Sequence, residues 1–97
     1  MPLISASTRS TVTTAGTRVR LTSTSTPCSW VQVTALTSNT GQVNVGDVGV
    51  VAATGATERG IPLLAGDSVK YPTNDASNIY IDSRVNGEGV IWQYGAG

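Results

Sequence analysis

From residue 17 onward, apolar and polar positions alternate with a period of two. Val19 and Leu21 are separated by Arg20. Across residues 28–37, Val31, Val33 and Ala35 fall on one side, and Trp30, Gln32, Thr34 and Leu36 on the other. Successive side chains of an extended strand point to opposite faces, so each such run predicts a half-buried strand. The sign returns at residues 42–45, 68–71, 79–82 and 90–94, with apolar runs at 48–52 and 61–64. Turn clusters punctuate them: Ser38-Asn39-Thr40-Gly41, Gly46-Asp47, Ala65-Gly66-Asp67, Pro72-Thr73-Asn74-Asp75 and Asn86-Gly87. Gly and Asn tolerate positive φ, Pro presets φ, and Asp bonds its own backbone, so these clusters read as turns; Asn-Gly is a strong hairpin signal.

Seven or eight short strands with turns at roughly 8–12-residue spacing predict an all-β fold. The expected architecture is a single small β-sandwich, jelly-roll-like, with antiparallel strands. Its expected core is Val19, Leu21, Val31, Val33, Val43, Val45, Val50, Leu64, Val69, Ile79, Ile81 and either Ile91 or Trp92. Pro62 lacks an N–H for a ladder and belongs at an edge or a strand start.

Residues 1–16 read differently. They are short, polar and without apolar period. Ordering a backbone costs about 1–2 kcal/mol per residue, which such a segment cannot offset alone. The expected division is therefore an extended N-terminal arm at 1–16 and a β-sandwich domain at 17–97. The arm lies against a neighbouring subunit or folds back on its own domain.

Composition narrows the function. A chain of 97 residues is one domain with a thin stability margin. It has one cysteine, Cys28, and no histidine, so neither an intrachain disulfide nor a Cys/His zinc site is expected. Cys28, following Pro27 at a strand start, reads as a small buried hydrophobe rather than a reactive thiol. Charged residues make up 12% and cancel to zero, against about 25% in an average soluble protein. A surface so poor in charge suits a protein covered by copies of itself or by a larger body; a secreted neutral β domain has the same composition. Arg9, Arg18 and Arg20 precede the first acid, so the front is mildly basic and the rear mildly acidic. No basic patch calls for nucleic acid, and no apolar run of about 18 residues calls for a membrane. The start of the chain lacks a signal-peptide pattern, giving an expectation of synthesis in a cytoplasm.

Catalysis is not expected, and neither is a cofactor or metal. Without histidine, nucleophilic chemistry lacks its usual base. The carboxylates mostly sit in turns, where they serve backbone geometry. The aromatics say more. With Val31 and Val33 inward, Trp30 faces outward, and Val90, Trp92 and Tyr94 share one face of the last strand. Which tryptophan is exposed stays open. Exposed Trp and Tyr serve as protein-interface hot spots or as stacking platforms for sugars.

Two stretches carry a family likeness. They are Ile61-Pro62-Leu63-Leu64-Ala65-Gly66-Asp67-Ser68-Val69, and Ala76-Ser77-Asn78-Ile79-Tyr80-Ile81-Asp82 followed by Val85-Asn86-Gly87-Glu88-Gly89-Val90. With residues 22–33 and 43–49, they resemble small β-sandwich structural proteins of tailed bacteriophages, over roughly residues 17–94. The resemblance implies a head decoration or cement protein on the outer capsid of the virion. Its partners would be the major capsid protein and further copies of itself, as a homo-oligomer with a trimer favoured. The expected contact residues are Leu3, Ile4, Arg9, Val12, Arg18, Arg20, Trp30, Gln32, Trp92 and Tyr94. A carbohydrate- or receptor-binding module on the virion, and a neck or tail connector, are the competing expectations.

Overall fold

The computed structural model describes residues 3–4, 8–52 and 58–96, with side chains from Thr8 onward. Among the described residues, nine strands form: β1 (Leu3–Ile4), β2 (Thr8–Val12), β3 (Val19–Arg20), β4 (Trp30–Ala35), β5 (Val43–Gly46), β6 (Ile61–Leu63), β7 (Ser68–Pro72), β8 (Tyr80–Ser83) and β9 (Glu88–Ala96). A 3-10 turn, Ala76–Asn78, precedes β8.

The pairings are nested. β5 pairs with β6, β4 with β7, β3 with β8 and β2 with β9, all antiparallel. The chain is thus one long hairpin bent at the β5–β6 connection and rolled up. Contacts of β4 with β9 and of β5 with β8 close the roll. The result is two sheets, ordered β2-β9-β4-β7 (with β1 continuing beside β9) and β3-β8-β5-β6. From β2 to β9, every connection except β5–β6 changes sheet. This is jelly-roll topology, and the sequence expectation of a small antiparallel β-sandwich is met.

The interior follows the period of two. Val31, Val33 and Ala35 of β4 are buried and face Val43 and Val45 of β5 and Ile81 of β8 within one cluster. Val90 and Trp92 of β9 join them, with Leu21, Ile79 and Ala76 closing the ends. Valine dominates because its branched Cβ packs well on a pleated surface. The sole tryptophan of the core, Trp92, has its indole N–H satisfied: it donates to Ser10 Oγ at 2.9 Å.

Two expectations are resolved or changed. Of the two placements left open for the segment at 1–16, residues 8–12 take the second, folding back on their own domain. They pair with β9 over five positions, and Val12 is fully buried in the core. The partner that orders this polar segment is the last strand of its own chain. Gly89 permits the seating, because a Cβ there would lie 2.1 Å from the Ser10 carbonyl oxygen. Leu64 is the second change. It is 62% exposed while Leu63 is buried. Leu64 opens a turn in which its N–H donates to Asp67 Oδ2 and its carbonyl accepts from the Asp67 N–H. Pro62 does lie on an edge strand, β6. The run at 48–52 forms no strand; Val51 makes an isolated bridge to Arg59.

Candidate functional site: an open sheet face

The two sheets differ in what covers them. On the β3-β8-β5-β6 sheet, Asn44 and Asp82 stand opposite each other on the outward side, yet both are buried. The β5–β6 connection and the turn at residues 14–16 lie over them. Asp82 accepts hydrogen bonds from the Gly16, Ala52 and Ser83 N–H groups at 3.1, 2.9 and 2.9 Å. Asn44 donates to the Arg59 carbonyl and to Glu58, which also meets Gln42 and, at 3.3 Å, Arg84. Around Asn44 and Asp82 that outer face is covered by its own chain, while Arg20 and Pro62 stay exposed at its margins.

The β2-β9-β4-β7 sheet has no such cover among the described residues. Alternation sends Trp30, Gln32 and Thr34 outward from β4, Arg9 and Thr11 from β2, Ile91 and Gln93 from β9, and Ser68, Lys70 and Pro72 from β7. Cross-strand register sets them in rows. Gln32 lies between Gln93 and Lys70, and Thr34 between Ile91 and Ser68, with Arg9 beyond Ile91. Gln32, Thr34, Ile91 and Gln93 rim a shallow dimple of about 60 Å³. No acid occupies any of these positions. Lys70 Nζ sits 4.7 Å above the Trp30 ring, where the negative π-face attracts a cation.

The acids are missing from this face because loops hold them. Asp75 accepts from the Thr26 and Ser77 N–H groups, each at 2.9 Å, and from the Ser25 hydroxyl at 2.7 Å. These donors, the Thr26 amide foremost, hold its carboxyl far below the usual carboxylate range. Glu88 takes the Thr40 and Gly41 N–H groups and is likewise lowered, chiefly by the Thr40 amide. Glu58 is lowered by Asn44 first, then by Gln42 and Arg84. Asp47 accepts from the Gly49 N–H at 2.8 Å and Asp67 from the Leu64 N–H at 3.1 Å. Each of the six carboxylates, Asp82 included, thus fastens a turn or a connection. Among the described residues, no group of three or more His, Cys, Asp or Glu side chains is placed to hold a metal.

The expected contact residues separate accordingly. Arg9, Trp30 and Gln32 come together on the open face. Val12 and Trp92 point the other way, into the core at 0% and 4% exposure, and offer no surface. Trp30, partly exposed, is therefore the outward tryptophan. Tyr94 is half-buried against the core, its ring 6.0 Å from that of Trp92. Arg18 is exposed in the β2–β3 connection, and Arg20 lies on the other sheet with its guanidinium 5.3 Å over the Tyr80 ring. Leu3 and Ile4 align with Ala96 and Gly95 at the end of β9; their side chains lie outside the described residues. The face also holds Ile91, Gln93 and Lys70, which were not among the expected contacts. Alternation on β9 separates Ile91 and Gln93 from Val90 and Trp92, but only the packing tells which side is out.

No family model matches this chain, and no curated protein or solved structure does. Jelly rolls serve viral capsid, lectin and cupin proteins alike, so the topology leaves the function to be argued from the surface. That surface offers an uncovered sheet face of amides, hydroxyls and one partly exposed tryptophan, with Arg9 and Lys70 as its cations.

Proposed function

We propose that this chain is a binding and assembly protein of a tailed-phage virion, a capsid decoration or cement protein rather than an enzyme. It attaches to the outer capsid through the open face of the β2-β9-β4-β7 sheet, as a homo-oligomer for which three copies is the leading arrangement. The observation that carries this reading is the acid-free outer face around Gln32, Thr34, Ile91 and Gln93, on a domain whose other sheet is covered at its centre by its own chain. Such a face costs little to desolvate because its polar groups are neutral and hydrogen-bond readily across a contact. Trp30 supplies a rigid aromatic anchor at one end. The use of all six carboxylates as acceptors that fasten turns and connections supports binding over acid–base chemistry. The sugar-platform alternative at Trp30 is weakened by Lys70, whose ammonium occupies a face of the indole where a pyranose would stack.

The test is co-sedimentation of the purified chain with mature capsids of the phage that encodes it, stripped of the chain itself, alongside light-scattering mass of the free protein. Wild-type protein is expected to sediment with capsids. Thr34→Glu and Gln32→Glu, both on the open face, are expected to abolish binding without lowering the melting temperature. Wild-type protein that stays in the supernatant defeats the proposal. Variants that bind as well as wild type exclude this face.

A further inference from the structure

A second concave feature lies away from that face. At one end of the sandwich, residues 46–49 and 59–60 at the two ends of the β5–β6 connection border, with the end of β7 and the 3-10 turn, an open cleft of about 710 Å³. This falls within the roughly 300–1,000 Å³ typical of small-molecule sites. Three glycines on the β5–β6 side, Gly46, Gly49 and Gly60, leave bare backbone there. Gly60 cannot be replaced cheaply: its φ is +94°, and a Cβ would lie 2.7 Å from the Val45 carbonyl oxygen. Facing them are Tyr71, Pro72 and Ile79. Tyr71 is pinned, its hydroxyl donating to the Val45 carbonyl at 2.9 Å.

The polar groups of the cleft decide what fits. Asp47 and Arg59 line it together, one charge of each sign, so the cleft favours neither an anion nor a cation. A single carboxylate falls well short of the six to eight oxygens that calcium takes. Asp47 uses one acceptor position on the Gly49 N–H, and an ionised carboxylate has about four. Burial, and after it the Asp47 charge, raises the Tyr71 hydroxyl above the usual phenol range. Asn78 and Thr73 add an amide and a hydroxyl. A wholly apolar ligand would leave these groups desolvated and unpaired. A ligand with one apolar face and a rim of uncharged hydroxyls matches both walls.

We propose that this end cleft binds a neutral saccharide unit, with Tyr71, Pro72 and Ile79 against the C–H face of the ring and Asp47 and Asn78 taking its hydroxyls. The site meets the docking face only at Pro72, at the end of β7, and does not depend on the virion reading.

The experiment is titration of the isotope-labelled full chain with methyl glycosides of neutral hexoses and with maltose, lactose and cellobiose, read by amide chemical shifts. Inorganic phosphate and cyclohexanol are the comparison probes. At least one neutral sugar is expected to shift the Gly46, Gly49, Gly60 and Thr73 amides, with the comparison probes weaker. Asn78→Ala and Asp47→Ala are each expected to weaken binding about tenfold or more. Asn78→Ala carries the test if loss of Asp47 loosens the Gly49 turn. Thr34→Glu, on the open sheet face, is expected to bind like wild type. The proposal is overturned if no sugar moves those amides at up to about 50 mM, well into the weak-binding regime. It is equally overturned if phosphate or cyclohexanol moves them as strongly, or if Asn78→Ala binds as wild type does.

Discussion

Replacing Gly89 with alanine tests whether residues 8–12 belong to this domain. A Cβ at position 89 would stand 2.1 Å from the Ser10 carbonyl oxygen, 2.9 Å from Thr11 Cα and 3.0 Å from the Ser10 carbonyl carbon. All three are backbone atoms, so no side-chain rotation relieves the clash. β2 and β9 would have to separate by about 1 Å or more, beyond the reach of a normal ladder hydrogen bond. Gly89 is also held from its other side, where the Asn39 side chain donates to its carbonyl at 2.8 Å, so β2 is the strand that must yield. The expected loss is about two ladder hydrogen bonds at ~1 kcal/mol each, plus ~1.5–3 kcal/mol from withdrawing Val12 from the core, or about 3–5 kcal/mol in all. A domain of this length has about 5–15 kcal/mol to lose. Urea unfolding followed by tryptophan fluorescence reads the change directly, because Trp92 lies beneath β2 and donates to Ser10. Gly87→Ala is the control: its φ is +82° but nothing lies within 4 Å, so only about 1–2 kcal/mol of backbone strain is expected. A Gly89→Ala loss below about 1 kcal/mol, with Trp92 emission unshifted, would refute the seating of β2 on β9.

Two more outcomes follow from the loops and the tryptophans. Asp75, Glu88 and Glu58 all have lower pKa values folded than unfolded. Their stabilisation is therefore complete above the unfolded carboxylate value of about 4 and is lost as pH falls through the folded values. The urea midpoint should hold from pH 7 to about 5 and decline below it, with a shallower decline in Asp75→Asn; equal midpoints at pH 2.5 and 7 would contradict the clasps. In acrylamide quenching, Trp30→Phe should leave the poorly quenched, blue-shifted emission of Trp92, and Trp92→Phe the accessible emission of Trp30. Matching quenching constants for the two variants would be inconsistent with a Trp92 that is 4% exposed.

Much of the fold was legible in the sequence because the strongest signals were local. On β4, the alternation of Val31, Val33 and Ala35 with Trp30, Gln32 and Thr34 named both the core side and the open face, and the turns at Gly66 and Gly87 carry the positive φ their sequences imply. What escaped was non-local. Thr8–Val12 has only Val12 to mark an inward side, and its partner lies some eighty residues away on β9. Leu63 and Leu64 are chemically alike, and only the Asp67 clasp decides which one begins the turn. Asp82 ends the alternating run 79–82, which puts it on the outward side; it is buried because the Gly16 and Ala52 N–H groups close over it, a long-range contact that no spacing announces. For the candidate site, Arg9, Trp30 and Gln32 were named from the sequence. Ile91, Gln93 and Lys70 needed the register of three strands to be placed beside them.

The nested pairing also sets an order of assembly. Closing β5 on β6 shortens the gap that β4 and β7 must bridge, and each closure prepares the next, so the entropic cost of every outer step is reduced by the inner ones. The outermost couple, β2 with β9, spans nearly the whole chain, placing this domain with the slow, topology-limited folders that take milliseconds to seconds. It should form last and fray first, visible as faster amide exchange at Arg9 and Thr11 than at Val33. In that frayed state β9 has one bare side, matched in length and register to the Thr8–Val12 of another copy. Two molecules caught there at high concentration would exchange first strands and leave as an interlocked pair.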